Sequence, residues 1–118
     1  MVQLAEEMIA AVESVDLDRI EGARDRVNKD LLPLLLPRFA DLEDDYQRAA
    51  FAMLICDQLD PSTHAVMRKV LELPDNEDIF NIARAAALDQ LAGRFGASPD
   101  WKDLPRLNEA VSKELKKI

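Results

Sequence analysis

The chain has 118 residues, 48% of them hydrophobic and 32% charged, which describes a folded globular protein of one domain and excludes intrinsic disorder. Its formal net charge is −8, from 15 Lys and Arg against 23 Asp and Glu. That balance argues against nucleic acid, because a phosphate backbone is gripped by clustered cations. It is compatible with a basic protein partner, since opposite charge speeds and orients docking, but on charge alone the first reading is solubility. The charge is unevenly held: residues 1–60 carry the whole −8, and residues 61–118 are balanced.

Three glycines, few β-branched residues and abundant Ala, Leu, Glu, Asp and Arg favour helix throughout, so the fold class expected is all-α. Residues 2–14 place Leu4, Ala5, Met8, Ile9 and Val12 on one face, with Glu6, Glu7 and Glu13 elsewhere, as an amphipathic helix does. Ser14-Val15-Asp16 marks a stop and restart with Asp16 or Asp18 as the next cap. Ile20, Ala23, Val27 and Leu31 then continue a second apolar stripe. The segment Asp30 to Phe39 holds Pro33 and Pro37. Either Asp30 caps a new short helix with Pro33 in its first turn, or the second helix runs on and bends there. Both readings put the leucines between 31 and 36 in the core.

After the acidic turn Asp41-Leu42-Glu43-Asp44-Asp45, the run from Ala49 to Cys56 is apolar on every side and requires cover on most faces. Asp60-Pro61 reads as a cap and first helical residue, opening a helix with Ala65, Val66, Leu71 and Leu73 that closes at Pro74. A second acidic turn, Asp75-Asn76-Glu77-Asp78, precedes Ile79, Ile82, Ala86 and Leu91 at core spacing, with Gly93 or Gly96 as the stop. Ser98-Pro99-Asp100 starts a last helix carrying Leu104, Leu107, Val111, Leu115 and Ile118 on one side, with lysines in its final turns.

Two stretches repeat. Leu34-Leu35-Leu36-Pro37 leads to Arg48-Ala49-Ala50, and Leu71-Glu72-Leu73-Pro74 leads to Arg84-Ala85-Ala86, each through an acidic turn, with offsets of 36 to 37 residues. Self-similarity at such a period marks stacked helical pairs. This pattern resembles the HEAT and HEAT-like repeat family. Asp78, Arg84, Ala87 and Leu91 fit its inner-helix positions, and Arg48, Phe51 and Ile55 fit in part; Gln47 and Ala83 stand where that family usually has a β-branched residue. The resemblance implies a right-handed α-α superhelix of about five to six helices: capping helices over 1–29, repeat units over 30–58 and 61–95, and a capping helix over 99–118. It implies protein–protein scaffolding.

The acidic turns read first as helix caps favoured by the helix dipole, and second as an edge for a basic partner. Neither has the glycine and glutamate spacing of a calcium loop, so no metal site is expected. His64, the only histidine, reads as a surface residue. Cys56 cannot pair within the chain, and its apolar run points to a structural thiol in a reducing cytoplasmic setting. No stretch has the length of a membrane span, and the acidic N-terminus is unlike a signal peptide. With no phosphate loop, no metal cluster and no nucleophile–base arrangement, neither a catalytic residue nor a cofactor is expected.

At the 36-residue offset, Asp45, Arg48 and Ala52 register with Asn81, Arg84 and Leu88, each trio on one helix face. The bland reading pairs both arginines with the turn acids; the functional one makes Asp45, Arg48, Asn81, Arg84 and Leu88 a partner-binding groove. Trp101, the lone tryptophan, packs the end of the stack or anchors a partner. The expected function is therefore a non-catalytic protein-binding module, in its sharpest form an inhibitor or immunity-type protein for a basic partner. A small helical enzyme using carboxylates and a self-associating structural subunit are the alternatives.

Overall fold

Six α-helices and no strand make up residues 2–58 and 60–91, the part of the chain that the computed structural model describes. The class is all-α. Trp101 and the capping helix expected over 99–118 lie outside the described residues.

Helix α1 (Val2–Glu13) buries Ala5, Met8, Ile9, Ala11 and Val12. It ends in a Schellman turn: the Asp16 N–H donates to the Ala11 carbonyl and the Val15 N–H to that of Val12, both at 3.0 Å. Val15 occupies the left-handed position with φ of 52°, where a β-branched residue is strained. Asp16 then caps α2 (Leu17–Arg24), its carboxylate accepting the Arg19 N–H.

The second apolar stripe does not continue as helix. Helix α2 stops at Arg24, and Val27 and Leu31 reach the core from irregular backbone. Nor does Asp30 cap the next helix. The Asn28 side chain accepts the N–H groups of Asp30 and Leu31, folding the chain into the short α3 (Leu32–Leu35) with Pro33 in its first turn. A 3-10 turn over Leu36–Asp41 continues it past Pro37. Of the leucines here, Leu31, Leu32 and Leu35 are buried, Leu36 is half-buried and Leu34 is 37% exposed.

Helix α4 (Asp45–Ile55) packs against α1, α2, α5 and α6. Ala49, Ala50, Phe51, Ala52 and Ile55 have no exposure at all, as the all-round apolar pattern requires. The Phe39 ring meets Phe51 edge-on at 5.4 Å. Asp60 caps a 3-10 turn over Pro61–Thr63, which leads into α5 (His64–Val70). Helix α6 (Asp78–Leu91) packs on α4 and α5.

Polar clamps close the two ends of α4. At its start, Asp44 accepts the Gln47 N–H, while the Gln47 side chain accepts the Glu43 N–H and donates to the Glu13 carbonyl at the end of α1. At its finish, the Gln58 amide donates to the Val27 carbonyl and the Gln90 amide to the carbonyls of Ile55 and Gln58. Arg24 holds Asp57 through two hydrogen bonds of 2.9 and 3.1 Å. These clamps bring the C-terminal ends of α2, α4 and α6 to one end of the structure.

Gly22 sits inside α2, where a Cβ would meet open space, over a shallow groove of about 320 Å³ floored by Leu4, Met8, Ala11 and Ala23. A helical glycine gives up backbone entropy with no packing to compensate. Gly22→Ala is therefore expected to raise the unfolding free energy by about 0.5–1 kcal/mol in urea denaturation, with an unchanged slope.

Candidate functional site

The two acidic turns meet at Tyr46. Packing of α4 on α6 sets the segments before them side by side, and the Tyr46 hydroxyl donates to Glu77 Oε1 at 3.3 Å. Its ring lies against Phe80 at 4.9 Å in a tilted contact, yet the residue is 44% exposed. Glu77 and Asp44 act on its hydroxyl from the two turns, and Asp41, Glu43, Asp75 and Asp78 of the same turns are exposed as well. The Glu77 charge, followed by partial desolvation, the Glu77 hydrogen bond and the Asp44 charge, raises the phenol pKa above its usual value. The turn acids have structural work as well: Asp44 caps α4, and Asp78 stands in the first turn of α6.

Behind this edge, the start of α4 faces the end of α5 across a concave pocket of about 410 Å³ lined by Phe39, Ala40, Asp45, Arg48, Lys69, Glu72 and Leu73. The walls carry two cations and two anions over an apolar floor. Arg48 is held in place: Nη1 donates to Asp45 at 2.8 Å and Nη2 to the Leu42 carbonyl at 3.2 Å. This half of the predicted groove is an internal ion pair that also faces a cavity.

The other half is set differently. Asn81, Arg84 and Leu88 are 6%, 5% and 6% exposed, so they form no open groove wall. The helix starts are 33 residues apart while the sequence offset is 36, so Arg48 is the fourth residue of α4 and Arg84 the seventh of α6. That extra turn carries Arg84 out of reach of the acids that flank its own helix start. Its guanidinium pKa is lowered by burial, and among the described residues the Asp75 charge opposes that shift. Trp101 lies outside the described residues.

His64, the first residue of α5, is half-buried rather than fully exposed. Cys56 is half-buried too; its thiol donates to the Met53 carbonyl, and burial pushes its pKa up to about 11, with the Arg24 charge opposing. That keeps it protonated and a poor nucleophile at neutral pH. Among the described residues no group of three His, Cys, Asp or Glu is placed to hold a metal ion. No described helix is long and apolar enough to cross a membrane. Tyr46, Lys69 and Glu72 join the site without any periodic signal; the one hint in the sequence is a lone tyrosine at the end of an acidic run.

No protein-family model matches the sequence, and no curated protein or solved structure is significantly similar to it.

Because Tyr46 is the only tyrosine, its ultraviolet ionisation reads this edge directly. Removing the nearest charge with Glu77→Gln is expected to lower the titration midpoint of native Tyr46; an unchanged midpoint would place Glu77 away from the hydroxyl. A phenol pKa raised on folding contributes stability that is present below about pH 10, the unfolded tyrosine value, and lost as pH rises through the folded value.

Proposed function

We propose that this protein is a non-catalytic protein-binding module that docks a basic partner on the edge where its two acidic turns converge. The observation that carries the reading is Tyr46: an exposed aromatic side chain held against Phe80, hydrogen-bonded to Glu77 of one acidic turn and within the field of Asp44 of the other. Tyrosine is favoured as an interface anchor because it offers a large contact area with few rotatable bonds, and a ring already seated loses little freedom on docking. The surrounding acids supply long-range attraction for cationic surfaces. The adjoining pocket, with its apolar floor and the paired Asp45 and Arg48, gives a partner side chain somewhere to insert.

A HEAT-like stack is the architecture we propose for this module. Helix α3 with its 3-10 extension precedes α4, α5 precedes α6, and the second members of these two pairs pack on each other. In that arrangement the acidic turns are inter-helix loops along one side of the stack. An inhibitor or immunity-type role against a basic toxin or nuclease is the sharpest form of the proposal, motivated by small size and acidity.

The test is affinity capture on immobilised protein, followed by titration of the purified partner against wild type, Tyr46→Ala and Asp44→Asn/Glu77→Gln. A cationic partner should bind saturably, lose affinity steeply with added salt, and bind Tyr46→Ala about 30-fold more weakly, as loss of an anchor worth about 2 kcal/mol implies. A partner indifferent to both salt and Tyr46→Ala would remove the acidic edge from the account.

A further inference from the structure

Helix α6 contains a buried cation, Arg84, for which no ion pair is found among the described residues. Arg84 is 5% exposed, and its Nε–H finds no acceptor among the described residues. A guanidinium taken out of water is strongly disfavoured unless its N–H groups and its charge are answered. One turn earlier on the same helix face, Asn81 is 6% exposed. Its amide nitrogen donates to the Asp75 carbonyl at 3.4 Å, and its Oδ1 receives no hydrogen bond from the described residues. The Asp75 carboxylate acts on Arg84 through its field, but no ion pair joins the two side chains. So a buried donor on a cationic side chain and a buried acceptor stand one helical turn apart on α6, neither with a hydrogen-bond partner among the described residues. Few buried polar groups in folded proteins are left unpaired, and a pair of them on one helix face calls for a ligand or a water.

We propose that Arg84 and Asn81 form a binding site for a small oxyanion that also carries a hydroxyl, such as a 2-hydroxycarboxylate or hydrogen phosphate. The oxyanion accepts the Arg84 Nε–H and balances its charge; the hydroxyl donates to Asn81 Oδ1. An oxyanion without a hydroxyl answers only the first requirement, so the site discriminates between glycolate and acetate. This site is separate from the Tyr46 edge and stands whether or not a basic partner exists.

The experiment titrates the whole chain with glycolate, inorganic phosphate, acetate and chloride at equal ionic strength near neutral pH. Melting temperature is followed together with the NMR signal of the Arg84 Nε–H. Glycolate or phosphate should raise the melting temperature saturably and shift that signal, and which of the two is stronger identifies the ligand class. Acetate should bind about tenfold more weakly, and chloride should have no specific effect. Arg84→Met should abolish the response while melting no lower than wild type, because it removes a buried cation that has no ion pair among the described residues. Arg84→Lys, which keeps the charge but lacks Nε–H, should weaken binding about tenfold even if the methionine variant fails to fold. Asn81→Leu should erase the preference for glycolate over acetate. The absence of any saturable anion response in wild type would overturn the proposal and assign the two atoms to a bridging water. An undiminished response in Arg84→Lys or Arg84→Met would overturn it as well.

Discussion

The constraint on which the structure depends is the burial of α4. Four helices lie against it, and that crowding is feasible because Ala49, Ala50 and Ala52 present almost no side chain where backbones approach. Close-packed interiors leave few voids, so small residues at such a crossing have to be matched by large ones beside it. Phe51, Leu54 and Ile55 from α4 itself, with Met8, Ile20 and Met67 from its neighbours, are those large residues. From Ala49 to Ile55 the helix has no polar face and cannot be a surface element. Everything else in the described chain is arranged to cover it.

Covering α4 also fixes the direction of its neighbours, and the acidic edge is a result of that. Arg24 reaches Asp57, Gln58 reaches the Val27 carbonyl, and Gln90 reaches the carbonyls of Ile55 and Gln58. These contacts finish α2, α4 and α6 at one end, so the starts of α4 and α6 lie together at the other. The acidic residues that favour a helix N-terminus through its dipole are thereby concentrated on one side of the protein. Helix capping and a negative docking surface are then two consequences of one arrangement. The single aromatic side chain in the middle, Tyr46, is seated by Phe80 from the neighbouring helix start.

Much of this was legible in the sequence where pattern is dense. The all-helical class, the Asp60 cap and the enclosed run after Ala49 follow from periodicity and capping chemistry, while Asp16 as the cap of α2 and Pro33 in the first turn of α3 are each one of two readings that the sequence leaves open. The end of α2 was not legible, because Val27 and Leu31 keep helical spacing while the backbone between them is held by Asn28, a side-chain bond that periodicity does not register. The register of the two arginines misleads for a related reason. The sequence offset aligns Arg48 with Arg84, but α6 begins a turn earlier relative to its arginine, which separates a capped, ion-paired residue from a buried one. Long-range polar partners such as Arg24 with Asp57 carry no local signature at all.

The measurement that bears most directly on the enclosed position of α4 is native-state hydrogen exchange, since amides at the centre of a cooperative core open only with the whole molecule. The amides of Phe51 to Ile55 should be among the slowest in the chain, exchanging at the rate set by global unfolding and slower than those of α1 and α2. Exchange of those amides through a low-energy local opening, with α1 or α2 better protected, would contradict a structure built around α4.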